Sequence, residues 1–322
     1  MIYITYPSAP DYWLNGTSQR YPGQQFIRID FTEAPEEDPA AVLAPVHLPE
    51  PVSVAVADRS HQWTNKHIAY RVLPKHLPGK SFVLIGRSIA VMSPECCFLA
   101  AATHLPFERL VEFGNRLCAK YVYDGTQPYG QRSRNPITAP EMIRAYLDSA
   151  PPWCLGRAAA ISAARYIQAG SNSPMEDKLA AYLSLSIARG GCGVKQGELN
   201  GRITLSEEAL RYNGNHICLV DILWESDKTA LEYDSSMSHG NEYQRQLDCQ
   251  RQTMLNQSGY KVVRLTAEDI RDFDRLDNAV MLLRDNLKMK KRTQELQKYS
   301  AARKQVWHNL FRTADSFFKT VE

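Results

Sequence analysis

The stretch DILWESDKTALEYD, Asp221 to Asp234, decides how the second half of this 322-residue chain is read. It follows Ile217, Cys218, Leu219 and Val220, so Asp221 interrupts an apolar run, and Glu232 and Asp234 come straight after Ala230 and Leu231. Two short strands joined by ESDK, with Trp224 and Thr229 flanking the turn, read as a hairpin. Side chains alternate along a strand, so Glu232 and Asp234 share a face, and tight pairing about the turn brings Asp221 near Glu232. Three converging carboxylates repel one another by several kcal/mol unless a cation sits among them, and oxygen-only ligands favour magnesium or manganese over zinc. E-x-D is a common triplet, so an edge strand with solvent-facing acids is the competing reading for Glu232 and Asp234. Asp221, embedded in core-like sequence, calls for a paired or metal-bound explanation.

Upstream of the hairpin, AGSNSPMED (169–177) is a break followed by a helix start. Ser173 suits the N-cap, Pro174 the first helical position, and Glu176 the glutamate of a capping box that returns a hydrogen bond to the Ser173 backbone. The expected order is a helix from 174 to about 188, a strand near GVKQGEL, strands HICLVDILW and TALEYDS, a helix YQRQLDCQRQTMLNQS, a strand YKVVRLT and a final helix from Glu268 towards Leu287. Asp248 and Arg251 lie one turn apart on the penultimate helix, where an intrahelical ion pair accounts for them as well as a role in a site does. Arg264 shares a strand face with Val262, and an arginine on a buried face needs an anion, either a carboxylate or a substrate phosphate.

This order of elements and residues resembles the restriction-endonuclease-like PD-(D/E)xK nuclease superfamily, in its very-short-patch-repair-like endonuclease branch, over residues 173–270. That branch carries an acid on the first helix, an Asp ending the second strand, an E-x-D triplet followed by a histidine, a helix with D-x-x-R and a strand ending in arginine. Glu176, Asp221, Glu232, Asp234, His239, Asp248, Arg251 and Arg264 occupy those positions. Val220 stands where the superfamily name has Pro, and Asp234 stands where the wider superfamily has its lysine. The resemblance implies an αβββαβ domain with a central mixed sheet and a magnesium- or manganese-dependent endonuclease acting on DNA. Asp221 and Glu232 would hold the metal, Glu176, Asp234 and His239 would complete the catalytic set, and Asp248, Arg251 and Arg264 would contact DNA phosphate or support the set from behind. With no lysine, His239 is the candidate for proton transfer, against the plain alternative of a solvent-facing loop histidine.

The rest of the chain reads as α/β overall in four parts. Residues 1–50 are proline-rich and read as an irregular arm; 51–170 read as an α+β domain, a small antiparallel sheet followed by helices; 171–287 form the nuclease-like domain; and 288–322 a basic helical tail. In the tail, cations mix with Tyr299, Trp307 and Phe311, which suits nucleic acid or, alternatively, a solvated helix with packing aromatics. The strand-then-helix region followed by the nuclease-like domain also looks like bacterial proteins grouped with the abortive-infection antitoxins of type IV toxin–antitoxin systems. That second resemblance implies a DNA-binding transcriptional regulator with a vestigial nuclease-like domain, partnered by a toxin or another component of phage defence. The first fifty residues are too rich in proline for a winged helix-turn-helix. Net charge is +3, hydrophobic residues make up 44% of the chain, and no run approaches the roughly 18 apolar residues of a membrane span, so a cytoplasmic protein is expected. Seven cysteines without C-x-x-C spacing read as buried free thiols.

Overall fold

The computed structural model of the protein describes residues 1–15, 24–31, 38–73, 77–127, 130–207, 217–234 and 242–313. These fall into two compact units, Met1–Ala169 and Gly170–Thr313, both of mixed α and β structure with mixed sheets. Among the described residues no helix is long and apolar enough to cross a membrane. Six of the cysteines are buried free thiols, and Cys249 is exposed.

In the first unit, strands β1 (Ile2–Ile4), β2 (Phe26–Ile27), β3 (Val52–Val56), β4 (Ile68–Val72), β5 (Phe82–Leu84) and β6 (Ile89–Met92) form one sheet in the order β2-β5-β6-β1-β3-β4. The helices are α1 (Ser8–Asn15), α2 (Pro39–Leu43), α3 (Pro94–Ala101), α4 (Phe107–Leu117), α5 (Pro140–Ser149) and α6 (Arg157–Ala164), and β7 (Tyr121–Tyr123) pairs with β8 (Gln131–Ser133) in a separate hairpin. Two expectations are corrected here. The first fifty residues are not an irregular arm throughout, because Ile2, Tyr3 and Ile4 are buried and form an inner strand between β6 and β3. The sheet is mixed rather than antiparallel, because β1 runs parallel to β6 and β3 parallel to β4. A strand apolar on both faces belongs inside a sheet, and IYI meets that condition.

The second unit holds the hairpin. Its elements are α7 (Pro174–Ser184), β9 (Glu198–Thr204), β10 (Ile217–Trp224), β11 (Thr229–Asp234), α8 (Glu242–Gln257), β12 (Lys261–Thr266), α9 (Ala267–Arg271), α10 (Phe273–Asn286), α11 (Thr293–Lys298) and α12 (Ser300–Phe311). The sheet order is β12-β11-β10-β9, with β11 and β12 parallel and the other pairs antiparallel. The hairpin forms about ESDK as expected: Trp224 pairs with Thr229, Lys228 takes the left-handed conformation (φ 47°), and Tyr260 Oη donates to Glu225 at 2.6 Å. The strand expected near GVKQGEL begins later, at Glu198. Gly193 has φ 59°, and an added Cβ at Gly197 would lie 2.6 Å from the Ile222 side chain, so that segment is a close-packed loop rather than a strand. The expected final helix divides at Asp272, whose carboxylate accepts the backbone N–H groups of Asp274 and Arg275 and so starts α10 afresh.

Residues 288–312 are packed into this unit rather than forming a tail apart from it. Arg303 is buried and pairs with Asp277, Trp307 Nε1 donates to the Ile270 carbonyl at 2.9 Å, and Phe311 meets Tyr182 edge-on at 5.6 Å. The tail aromatics Trp307 and Phe311 therefore serve packing, the second of the two readings of that segment.

Candidate active site

Asp221 lies where the sheet loses its regularity on both sides. Towards β9, Val220 pairs with Gly201 and Ile222 with Leu199, and the ladder lapses at the intervening rung of Asp221 and Asn200. Asn200 sits at φ 53°, a left-handed position that asparagine tolerates better than most residues. Cys218, Val220 and Leu223 all belong to one core cluster with Ile203, Met254 and Leu255. Strict alternation would put Val220 and Leu223 on opposite faces, yet both join this cluster, so the pair twists sharply about the Asp221 rung while keeping its register. Gly201 permits this: a Cβ there would lie 2.3 Å from the Leu223 Cβ.

Towards β11, pairing runs from Trp224 and Thr229 to Ile222 and Leu231 and stops one rung short of Asp221 and Glu232. Beyond that rung β10 and β11 fork, and side chains take over the main-chain hydrogen bonds. Tyr233 N donates to Asp221 Oδ2 at 2.7 Å, and Arg251 Nη2, reaching in from α8, donates to the Leu219 carbonyl. A local break that still satisfies its backbone groups is how a charged residue is accommodated inside a core strand.

Three acids and two arginines meet at this fork. Glu176 is only 5% exposed, and its Oε2 accepts from Asn172 N at 2.8 Å and from Asn200 Nδ2 at 2.5 Å. Burial pushes its carboxyl up to about 7, and the negative charge of Asp221 adds to that rise against the opposing hydrogen bonds. Burial likewise raises Asp221 to about 6, with Glu232 adding and the Tyr233 N–H and Arg251 opposing. Glu232, 8% exposed, is clamped: Oε1 accepts from Arg251 Nε at 3.1 Å and Nη2 at 2.5 Å, and Oε2 lies 3.5 Å from Arg264 Nη2. Both Arg251 N–H groups converge on one carboxylate oxygen, and this contact is shorter and stronger than that of Arg264.

The hairpin and its partners thus bring together Glu176, Asp221, Glu232, Arg251 and Arg264. Glu176 departs from the expected capping box: Ser173 Oγ accepts the Glu176 N–H at 3.2 Å, but the carboxylate returns to Asn172 N instead of Ser173 N. Arg251 engages Glu232 across to β11. The side chain of Asp248 on α8 and the whole of His239 lie outside the described residues. Arg264 is half-buried, with Val263 and Leu265 forming the buried face of β12, and the anion it meets is Glu232. Asp234 ends β11 opposite Thr266, two residues beyond Glu232 and half-buried. Asn200 went unnoticed in the sequence reading; its signal was the Asn-Gly pair inside a strand pattern, which marks a break in the ladder.

The donors are all oxygens, which in kind suit a hard divalent cation. Asp221 keeps Oδ1 without a hydrogen-bond partner among the described residues, whereas both oxygens of Glu232 face guanidinium groups. Among the described residues no group of three or more His, Cys, Asp or Glu side chains is gathered closely enough to hold a metal ion. Asp221 thus keeps one oxygen open at the fork, while Glu232 is held on both by guanidinium groups. No family model, curated protein or solved structure matches this chain.

Proposed function

We propose that the Gly170–Thr313 unit is a restriction-endonuclease-like domain that hydrolyses phosphodiester bonds in DNA with the help of magnesium or manganese. The observation that carries this reading is the fork itself, where Asp221 and Glu232 stand on facing strands with Glu176 beside them and two arginines within contact of Glu232. Asp221 and Glu232 are the residues that would hold the cation. When bound, the metal supplies a lowered pKa for water and neutralises charge on the phosphate.

The remaining chemistry belongs to the chain. Tyr233 N–H fixes the Asp221 carboxylate by one oxygen, leaving the other to face the site. Asn200 holds Glu176 from the distorted rung of β9, and a carboxyl titrating near 7 both takes and gives a proton at neutral pH. Arg251 and Arg264 offer guanidinium groups to a non-bridging phosphate oxygen. His239 keeps its place in the proposal as a second proton carrier, and Asp234 as a residue supporting the set from the end of β11.

A second reading, a DNA-binding regulator that retains the domain without its activity, is favoured by one observation: both oxygens of Glu232 are ion-paired. The two readings separate in one assay. Labelled single-stranded, duplex and mismatched oligonucleotides are incubated with magnesium, with manganese or with chelator; the nuclease reading expects metal-dependent cleavage of at least one, and the regulator reading expects binding with none cut.

A further inference from the structure

We infer that Glu232 and a DNA phosphate compete for the same two guanidinium groups, so that Arg251–Glu232–Arg264 is a latch that phosphate and divalent cation open for each other. This rests on the reading of the fork as a phosphodiester site and adds to it how the site is kept closed. Among the described residues Arg251 is attached to Glu232 and to the Leu219 carbonyl, and the second attachment does not depend on Glu232. Its guanidinium therefore stays at the fork when the carboxylate leaves. Arg264 is held to Glu232 only by a 3.5 Å contact, a weak one by the geometry of hydrogen bonds. The arginine side chains are 39% and 29% exposed, so a phosphate reaches them from solvent, while the Glu232 side chain behind them is only 10% exposed.

The exchange balances in charge. In the closed arrangement the guanidinium groups of Arg251 and Arg264 face the two oxygens of Glu232. In the open one the phosphate takes the arginines, and Glu232 turns with Asp221 to the metal. A carboxylate and a phosphate oxygen are interchangeable partners for guanidinium, both accepting two parallel N–H bonds. Because each ligand removes the partner that blocks the other, metal and DNA must bind with positive coupling, and linkage makes the effect reciprocal. It also follows that metal alone or DNA alone binds weakly, which confines cation capture to the moment when a phosphate is in place.

The test reads binding by the full-length protein, not turnover. Affinity for a fluorescent duplex oligonucleotide is measured by anisotropy in chelator and in calcium, with the oligonucleotide checked for integrity. Wild type is expected to bind about tenfold more tightly with calcium, and Glu232→Gln to bind about tenfold more tightly than wild type in chelator and to lose most of the calcium response. In an Arg251→Gln, Arg264→Gln background the Glu232→Gln gain should vanish, which separates release of the arginines from mere removal of a negative charge. Absence of a calcium effect in wild type overturns the latch and needs no variant to fold, and an equal Glu232→Gln gain with and without the arginines overturns it too. Coupling without cleavage in magnesium would leave the latch standing and remove the nuclease, and cleavage without coupling would do the reverse.

Discussion

Asp221 survives in an apolar strand because it does the work of a main-chain carbonyl, accepting the Tyr233 N–H where β11 leaves β10. The cost of burying its charge shows in a carboxyl raised to about 6. Asp221→Asn keeps an acceptor and discards the charge, so urea melts at pH 7.5 should find it at least as stable as wild type; Asp221→Ala orphans the N–H and should fall below Asp221→Asn by about 1–2 kcal/mol. Glu176 gives a pH signature. Its folded pKa of about 7 lies above the ordinary value of 4.5, so the folded state binds more protons between the two. Stability from this group is complete below about pH 4.5 and is lost as pH rises through 7, on the order of 2–3 kcal/mol. Glu176→Gln should flatten that slope between pH 5 and 8 in denaturant melts, and an unchanged slope would contradict the assignment. The nearness of Asp221 to Glu232 could be read from the length of the ESDK turn. The partner of Arg251 could not, because Asp248 stands one turn away on the same helix and sequence gives no view across to β11.

At the level of elements, the device is a strand pair that loses alternation at one rung. A regular β10 would present Val220 and Leu223 to opposite faces, yet both enter one core, and Asn200 and Gly201 on β9 absorb the difference. Asn200→Gly retains the left-handed backbone but loses the bonds to the Gly170 carbonyl and Glu176, whereas Asn200→Ala loses both advantages. Thermal melts should therefore rank wild type above Asn200→Gly above Asn200→Ala, with about 1 kcal/mol in the last step. Equal stability of the two variants would mean that the left-handed rung does not constrain the strand. The order of helices and strands in this unit followed from periodicity and caps, since HICLVDILW, TALEYDS and YKVVRLT are strongly apolar. The break in β9 did not, because two adjacent small polar residues look alike in a loop and at a kink. The division at Asp272 was hidden for a similar reason: an apolar period that continues across a cap resembles one long helix.

At the scale of the molecule, the chain is two units, and the boundary near Ala169 was visible in AGSNSPMED. The ends were harder to place. MIYITYP has only three strand residues and was outweighed by the prolines after it, although its burial makes it an inner strand. The last helices looked like a basic tail because lysines and arginines far outnumber the acids Glu295, Asp315 and Glu322 after Leu287, and the buried pairing of Arg303 with Asp277 cannot be seen in a charge count. Truncation after Leu287 would uncover Tyr182, Ile270 and Phe273; it should yield protein that aggregates or melts well below full length, whereas a detachable tail would leave the melt unchanged. Nicking of supercoiled plasmid by wild type and Asp221→Asn tests most directly whether the fork between β10 and β11 is a metal-dependent phosphodiesterase site. Nicking by wild type in magnesium or manganese but not in chelator, and none by an equally well folded Asp221→Asn, is the expected result; no nicking by wild type in either metal, or undiminished nicking by Asp221→Asn, would contradict it.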